Sequence, residues 1–271
     1  MTGIEQGLTT EEELFCTRYE RDILSGIVNE GRLERWLPGF CSDHTHKEHV
    51  LRYEWVKDFV RGKTVLDIAC GAGFGSLILA RDGQAAQVTG LDIDENTVRY
   101  ASLRNQRSNL AFETGDAETF DATARYHVIV SFETIEHLRH PEAFLKNINR
   151  ALTPGGICFI STPISAMPEN NQPDNIYHQR EWGFKKFREL VKGFLNIHEV
   201  YLQLYKARES NAGFFSKVLF KTGLKHSDPL PLIEKLVPHK WNPQELKEDA
   251  IGLEWTGYQI VQCTKKNDAG T

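Results

Sequence analysis

The sequence has few cysteines and no cysteine motif. Five cysteines are scattered over 271 residues, and no two of them form a C-x-x-C pair. A disulfide framework and a zinc knuckle both need cysteines at close, regular spacing, so the pattern argues against both. An odd, unclustered set is typical of reduced thiols, which predicts a cytoplasmic protein. The five are Cys16, Cys41, Cys70, Cys158 and Cys263.

Long apolar runs and an excess of positive charge are also missing. No apolar run approaches the roughly 20 residues of a membrane-spanning helix, and the acidic, polar segment 1–13 is unlike a signal peptide. The formal net charge is -5 at pH 7, whereas a dedicated nucleic-acid-binding protein usually has a strongly basic face. We therefore expect a soluble protein without a membrane span, and nucleic acid is not an expected partner. A length of 271 residues is enough for one large domain, or for one domain with a small cap.

What the sequence does contain is a glycine turn between a strand and a helix. The segment VLDIACGAGFGS occupies residues 65–76, and its apolar start predicts a strand that is covered on both faces. Gly71, Gly73 and Gly75 carry no Cβ atom, so the backbone can turn tightly and a ligand can lie close to it. The following helix would direct free N–H groups and the positive end of its dipole at that ligand. Nicotinamide, flavin and S-adenosylmethionine enzymes all use such a turn, so the turn alone leaves the cofactor open.

Strands and helices alternate downstream of this turn. A β-α-β-α order implies a doubly wound, mostly parallel α/β sheet with right-handed crossovers. Seven strands are predicted, at Thr64–Ala69, Gln87–Ile93, Leu110–Thr114, Tyr126–Phe132, Ile157–Ser161, Leu195–Leu204 and Thr256–Thr264. The helices predicted between them are Gly75–Arg81, Glu95–Gln106, Glu133–Leu138, Pro141–Leu152 and Phe184–Val191.

The same pattern divides the chain into four parts. The N-terminal part, residues 1–62, contains a histidine cluster formed by His44, His46 and His49, which is expected to be solvated. Within the core at 63–206, the segment 163–182 is rich in Pro, Asn and Gln, which predicts an active-site loop. The insertion at 207–253 is expected to form a lid, a substrate-binding element or an oligomer contact. The parts are a helical N-terminal cap at 1–62, a ligand-binding α/β core at 63–206, an insertion at 207–253, and a final core strand with its tail at 254–271.

Polar residues follow the predicted strands at the edge where a doubly wound sheet binds ligands. Asp92 ends the second strand, where a carboxylate can accept hydrogen bonds from both hydroxyls of a ribose. Asp116 and Ala117 follow the third strand, and an acid there can accept a hydrogen bond from an adenine amino group. The fourth strand ends at Phe132 and Glu133, which places both at the same edge. The set predicts a binding pocket at this edge.

The ordered motifs resemble those of class I S-adenosylmethionine-dependent methyltransferases. They are VLDIACGAGFGS, LDID, GDAETF, YHVIVSFETIEHL and LTPGGICFISTP, and they lie within residues 50–205. The last predicted strand matches the antiparallel seventh strand of that family. The resemblance implies that Gly71 and Gly73 lie beside the methionine part of the cofactor and that Asp92 holds its ribose. It also implies that Asp116 and Ala117 flank the adenine.

The resemblance extends to two charged residues near these motifs. Asp67, before the glycines, is expected to organise the glycine loop or the ammonium side of the cofactor. Arg52 lies in a segment that resembles a helix which often reaches the cofactor carboxylate, and a surface helix charge is the alternative. The complete set expected to contact the cofactor is Arg52, Asp67, Gly71, Ala72, Gly73, Asp92, Ile93, Asp116, Ala117 and Phe132.

The methyl acceptor has to be inferred from the segment after the fourth strand. The N/D-P-P-Y/F pattern of amino-group methylation is absent, and Glu133-Thr-Ile-Glu136-His137 stands in its place. On a helix, residues i, i+3 and i+4 share a face, so these three side chains would meet at the mouth of the pocket. Two carboxylates and an imidazole suit a divalent Mg, Mn, Fe or Zn ion, which would lower the pKa of an acceptor hydroxyl. A metal-free catalytic His137 and a structural His137 remain open.

This E-x-x-E-H pattern is similar to that of metal-dependent O-methyltransferases, including ubiquinone-pathway enzymes and small-RNA 2′-O-methyltransferases. In the RNA enzymes a later histidine completes the metal site, and His178 is its counterpart here. The resemblance thus implies His137 and Glu133 as catalytic residues. It implies as metal ligands Glu133, Glu136, His137 and His178.

The layout of the whole chain resembles bacterial methyltransferases of polysaccharide and glycoside pathways. It implies an O-methyltransferase for a small polyhydroxylated acceptor, which would be a sugar or a sugar-linked intermediate. The alternatives are an RNA-end 2′-O-methyltransferase, a ubiquinone-type phenolic O-methyltransferase and a non-catalytic cofactor-binding protein. Assembly into a homo-oligomer is left open.

Overall fold

A sheet of eight strands runs through the centre of the protein in a computed structural model of the chain. The structure describes residues 7–30, 37, 43–206, 238–253 and 255–267. In chain order the strands of this described part are β1 (Thr64–Ile68), β2 (Gln87–Asp92), β3 (Leu110–Thr114), β4 (Tyr126–Phe132), β5 (Leu152–Pro163), β6 (Glu169–Asn170), β7 (Glu181–Trp182), β8 (Leu195–Lys206), β9 (His239–Lys240) and β10 (Trp255–Lys265). Its α-helices are α1 (Thr10–Glu30), α2 (Asp43–Val56), α3 (Phe74–Arg81), α4 (Glu95–Arg104), α5 (Pro141–Ala151) and α6 (Phe184–Lys192).

The order of the strands agrees with a doubly wound sheet. From edge to edge it is β3-β2-β1-β4-β5-β10-β8-β9, and β6 pairs with β7 in a separate ribbon. β1 is parallel to β2 and β4, and the pairs β2–β3 and β4–β5 are parallel as well. β10 is antiparallel to both of its neighbours, β5 and β8. This confirms the predicted mostly parallel sheet with an antiparallel last strand. Within the described residues the sheet has one strand more than the seven predicted, because the two-residue β9 extends it beside β8.

Local sequence signals explain where two of the helices begin. Asp94 precedes α4, and its carboxylate accepts a hydrogen bond of 2.8 Å from the backbone N–H of Thr97, as N-cap residues do. Pro141 lies in the first turn of α5, where its missing N–H has no helical partner to lose. None of the described helices is long and apolar enough to span a membrane.

Two hydrophobic clusters cover the two faces of the sheet. On one face, α5 and α6 bury the rings of Phe144 and Phe187, and on the other α3 buries Leu79. Neighbouring residues of β5 divide between the clusters, because side chains alternate along a strand: Ile160 belongs to the first and Phe159 to the second. Full burial of each such side chain contributes ~1.5–3 kcal/mol to stability. The helices therefore hold the sheet from both sides, and the loops at its carboxyl edge stay open to a ligand.

The predicted helix at Glu133–Leu138 is wrong. The structure has a short 3-10 turn at Ile135–His137, and Glu133 before it has a φ of +54°. A residue with a left-handed backbone cannot belong to a right-handed helix. Glu133, Glu136 and His137 consequently do not share one helical face.

The predicted cap and insertion are only partly within the described residues. Residues 1–62 contain α1 and α2, so the expected helical character is present there. Residues 207–237 of the predicted insertion lie outside the part that the structure describes. The remainder, 238–253, contains β9 and a 3-10 turn at Glu248–Ala250.

Packing explains why the second glycine of the turn, Gly73, has no side chain. Gly73 has a φ of +82°, and a Cβ atom built on it would lie 2.6 Å from the Phe112 ring and 2.8 Å from Asn105 Nδ2. The same Asn105 amide donates a hydrogen bond of 2.9 Å to the carbonyl oxygen of Ala72. The end of α4 and strand β3 therefore hold the turn in place, and a side chain at residue 73 would displace them.

We expect Gly73→Ala to lower the free energy of unfolding by about 3 kcal/mol, because the left-handed backbone and the steric overlap both add to the cost. Gly155→Ala is the matched control, because Gly155 also has a positive φ (+74°) but a Cβ atom there would meet nothing within 4 Å. Its cost should be about 1 kcal/mol. Urea unfolding of both variants measures the difference. Equal losses would show that the packing around residue 73 relaxes freely.

Candidate active site

A cavity of about 240 Å³ lies at the carboxyl edge of the sheet. The loops after β1, β2, β3 and β4 line it together with helix α2, and this is the edge where doubly wound sheets bind ligands. Among the described residues the lining consists of His49, Tyr53, Ala69, Cys70, Gly71, Asp92, Ile93, Gly115, Asp116, Ala117, Phe132, Glu133, Thr134, His137 and Leu138.

The carboxylate of Asp92 is fixed in the wall of this cavity. Its Oδ2 accepts a hydrogen bond of 2.9 Å from the backbone N–H of Gly71, and its Oδ1 accepts one of 3.1 Å from the N–H of Asp94. Asp92 is buried, although it lines the cavity. A nearby acid, Asp116, also lines the cavity, and its Oδ1 accepts a hydrogen bond from the N–H of Glu118. Two oriented carboxyl groups thus line the cavity as hydrogen-bond acceptors.

Asp67 lies beneath the glycine turn and not in the cavity wall. Its Oδ1 accepts a hydrogen bond of 3.0 Å from the Tyr53 hydroxyl, and its Oδ2 accepts one of 2.6 Å from the Ser76 hydroxyl. Burial raises the pKa of Asp67 to about 7, although both hydrogen bonds lower it. Because Tyr53 is on α2 and Ser76 is on α3, this carboxyl group joins the two helices that flank the turn.

Glu133 lines the cavity on the other side of β1 from Asp92, because it follows β4 and β1 lies between β4 and β2 in the sheet. Its Oε1 accepts a hydrogen bond of 2.9 Å from Arg52 Nη1 and one of 2.6 Å from the Ser161 hydroxyl. Burial raises the pKa of Glu133, and the charge of Arg52 and the bond from Ser161 oppose that rise. Arg52 itself is fully buried and is absent from the cavity lining.

Glu136, His137 and His178 come together on this side of the cavity. One ligand atom from each lies within 4.8 Å of the others, and the two imidazole centres are 4.8 Å apart. The predicted active-site loop, 163–182, delivers His178 to this place. That loop is tied to the 3-10 turn by two hydrogen bonds, of 2.8 and 3.2 Å, from the N–H groups of Gln179 and Arg180 to the carbonyl oxygen of Glu136. Glu133 does not belong to the group.

The donor atoms of this group lie close enough together to hold a divalent cation. The Nδ1 atoms of His137 and His178 contact the Tyr177 carbonyl oxygen at 3.1 Å and a Glu181 carboxylate oxygen at 2.6 Å. Such contacts orient metal-binding histidines and direct Nε2 at the ion, although His178 Nε2 now lies 2.8 Å from the Asn175 amide.

The carboxyl group of Glu136 and the protonation state of His137 also agree with a cation site. Glu136 Oε2 accepts a hydrogen bond of 3.1 Å from Thr162, whereas its Oε1 is buried without a partner in the described part of the chain. Burial and the neighbouring His178 lower the pKa of His137 to about 4. His137 is therefore neutral at pH 7, as a metal ligand or a proton acceptor must be. The imidazoles of His137 and His178 and the carboxyl group of Glu136 are a suitable set for a borderline divalent ion.

The structure divides the residues that were expected to contact a cofactor. One set lines the cavity: Gly71, Asp92, Ile93, Asp116, Ala117 and Phe132. A second set stands behind the lining: Arg52, Asp67, Ala72 and Gly73.

Two residues of α2 in the cavity wall were not expected there. His49 was expected to be solvated with the rest of its cluster, and that expectation is wrong because it lines the cavity. Burial, then the charges of Arg52 and His46, lower the pKa of His49 well below its usual value. Tyr53 is one helical turn further on and lines the cavity as well. Their i, i+4 spacing in a helix next to the glycine turn is the signal that could have identified them.

The core of the chain matches a known protein family. A family model described as a methyltransferase domain matches residues 59–207. A Mycolicibacterium smegmatis protein that is named as an S-adenosylmethionine-dependent methyltransferase is 33% identical over 162 residues, which cover 59% of this chain and 62% of the relative. A ubiquinone biosynthesis O-methyltransferase of Psychrobacter arcticus is 31% identical over 140 residues, which cover 43% of this chain and 54% of the relative. The chain thus spans between 54% and 62% of the length of these two curated relatives.

A solved structure supports the same fold. A Haloferax volcanii methyltransferase in complex with the Trm112 methyltransferase activator superposes with a TM-score of 0.56 at 16% identity. The superposition covers 84% of this chain and 93% of that chain. At this identity the likeness concerns the fold alone.

We expect Asp92→Ala to weaken the binding of S-adenosylhomocysteine roughly 10- to 100-fold, because a charged acceptor for the ribose hydroxyls is lost. Asp82→Ala is the control, since Asp82 forms a surface ion pair of 2.7 Å with Arg81 and does not line the cavity. Isothermal titration calorimetry measures both affinities. Equal binding by the two variants would contradict the placement of the cofactor beside Asp92.

Proposed function

Because the chain belongs to the methyltransferase-domain family, we propose that it is an S-adenosylmethionine-dependent O-methyltransferase acting on a hydroxyl of a small polyhydroxylated acceptor. The observation that carries the proposal is the arrangement of one continuous cavity. Asp92 and Asp116 line it after β2 and β3, and Glu133 and His137 line it after β4, on the other side of β1. The β4 side is called the acceptor end. The first pair would hold the nucleoside of the methyl donor, which leaves the second pair beside the transferred methyl group and the acceptor.

The side chains at the acceptor end favour a hydroxyl acceptor. Methyl transfer from a sulfonium is an in-line displacement, so the protein has to align the acceptor and to accept its proton. Glu133 and the neutral His137 can both accept a proton or a hydrogen bond from a hydroxyl. The asparagine or aspartate and the prolines typical of amino-group methylation are absent after β4, where Glu133 and Thr134 stand instead. The similarity to a ubiquinone biosynthesis O-methyltransferase supports transfer to oxygen.

We propose a carbohydrate-type acceptor as the first candidate. A polyhydroxylated molecule presents several donors, and the acceptor end of the cavity offers carboxylate and imidazole acceptors for them. A phenolic acceptor is the second candidate. It is favoured by the name of the Psychrobacter arcticus relative and by the apolar side chains of Phe132 and Leu138 in the wall.

A divalent cation held by Glu136, His137 and His178 is part of the proposal. The support for it is the proximity of the three donor atoms and the buried, unpartnered Oε1 of Glu136 within the described residues. Such an ion, when bound, lowers the pKa of a hydroxyl and orients it. The protein residues would set the position of the ion and would exclude water from the acceptor end.

The acceptor class can be tested with a panel of three probes. Methyl β-D-glucopyranoside, catechol and a short RNA oligonucleotide are each incubated with the protein and S-adenosylmethionine, and S-adenosylhomocysteine is measured by mass spectrometry. We expect methylation of the glucoside or the catechol, because both present vicinal hydroxyls. Turnover of the RNA alone would contradict the small-molecule acceptor. Binding of S-adenosylhomocysteine without turnover on any probe would favour a non-catalytic cofactor-binding protein.

Metal dependence gives a separate prediction. Exhaustive chelation with EDTA should abolish turnover and leave the affinity for S-adenosylhomocysteine largely unchanged, because the Glu136–His137–His178 group lies at the acceptor end. His178→Ala should have the same effect and should lose bound metal in elemental analysis. His198→Ala is the control, since His198 is exposed and contacts Thr264 on the sheet. Full activity after chelation would exclude the metal and leave His137 as a metal-free catalytic residue.

A further inference from the structure

Arg52 is enclosed by protein and does not line the cavity. Its Nη1 donates to Glu133 Oε1 at 2.9 Å, and its Cζ lies 4.5 Å from the centre of the Tyr258 ring. Its Nε and Nη2 atoms have no hydrogen-bond partner among the residues that the structure describes. Within the described structure, Glu133 is therefore the hydrogen-bonded counter-ion of the buried Arg52 guanidinium.

Glu133 is fixed by its backbone and by one of its two carboxylate oxygens. Its φ of +54° is unfavourable for a residue with a side chain, and such conformations persist where the surroundings determine them, often at functional sites. Its backbone N–H donates to the Ser161 hydroxyl at 3.1 Å, and that hydroxyl donates to Oε1 at 2.6 Å. Arg52 and Ser161 both donate to Oε1, whereas Oε2 has no hydrogen bond within the described part of the chain. The oxygen left for a ligand in the cavity is Oε2.

We propose that Arg52 and Ser161 are positioning residues that hold Glu133 as the proton acceptor of the transfer, an inference that rests on the proposed function. The acceptor oxygen forms a bond to the methyl carbon, and the carbon–sulfur bond breaks with its electron pair remaining on sulfur. The hydroxyl proton moves to Oε2 of Glu133. The two glutamates of the E-x-x-E-H segment then have different tasks, because Glu136 belongs to the group with His137 and His178 and Glu133 does not.

This role of Arg52 differs from the contact to the cofactor carboxylate that the resemblance implies. An arginine that binds the cofactor directly should control cofactor affinity. An arginine that acts through Glu133 should leave that affinity unchanged and should lose its importance when Glu133 is neutralised. The other acids near Arg52 are Glu48, one turn earlier in α2, and Glu136. Neither of them has a hydrogen bond to Arg52 among the contacts of the described residues, so Glu133 is the partner to test.

A double-mutant cycle separates the two roles. The proteins are the wild type, Arg52→Met, Glu133→Gln and the double variant, together with Arg52→Lys. Arg125→Met is the control, because Arg125 is exposed and stacks on a ring as Arg52 does, with its Cζ 5.2 Å from the Tyr126 ring centre. Three quantities are measured: the Kd for S-adenosylhomocysteine by calorimetry, the Tm, and kcat and KM with methyl β-D-glucopyranoside or catechol.

We expect Arg52→Met to leave the Kd for S-adenosylhomocysteine unchanged and to lower the Tm by on the order of 5 °C, because a buried carboxylate loses its counter-charge. Glu133→Gln in the same chain should restore most of that loss, since the amide needs no counter-charge. The value of kcat should fall on the order of 100-fold in each single variant and no further in the double variant. Arg52→Lys should recover part of kcat, and the Arg125→Met control should change the Tm little.

Other outcomes would overturn the proposal. A tenfold or larger rise in the Kd for S-adenosylhomocysteine, with Tm losses that add and kcat losses that multiply, would assign Arg52 to the cofactor. Additive Tm losses alone would already show that Arg52 and Glu133 act separately. If no probe is methylated by the wild type, the proposed function fails on that account. The Tm cycle and the Kd still decide whether Arg52 holds Glu133.

Discussion

A charged guanidinium loses its hydration when it is buried, and it is stable there only beside a counter-charge. Arg52 has no exposed surface, and the carboxylate of Glu133 is 2.9 Å from it. Because Arg52 is on α2 and Glu133 follows β4, this ion pair ties α2 to the carboxyl edge of the sheet. The cavity wall formed by His49 and Tyr53 stands on the same helix. This ion pair and the hydrogen bond from the Tyr53 hydroxyl to Asp67 together hold this wall of the cavity in place.

The glycine turn after β1 is held by contacts from three sides. Asp67 joins the helices on either side of it, Asp92 accepts the N–H of Gly71, and Asn105 donates to the carbonyl oxygen of Ala72. None of these contacts needs a ligand. A cofactor would meet a turn that is already ordered, so little of its binding free energy would be lost to ordering the loop.

The strands could be predicted because each is a short apolar run that ends at turn residues. Two of them, Leu110–Thr114 and Tyr126–Phe132, have the predicted bounds. The cavity residues that follow strands directly, such as Asp92 and Asp116, could be placed for the same reason, since the carboxyl ends of parallel strands meet at one edge.

The remaining features depend on contacts that local patterns do not contain. Arg52 and Glu133 are 81 positions apart, and nothing in the sequence around either one indicates the other. The left-handed backbone of Glu133 overrides a segment whose spacing suits a helix. Helical periodicity shows that His49 and Tyr53 share one face of α2, but it does not show that this face meets the cavity. Only tertiary packing decides these three points.

The position of β10 has a consequence for synthesis on the ribosome. β10 lies between β5 and β8, so β8 joins the parallel strands only through it. Until residues 255–265 emerge, β5 carries an unpaired edge and β8 has no place in the main sheet. An exposed edge of this kind is a template for pairing between chains. The edge of β5 is thus open to pairing with another chain until β10 takes its place.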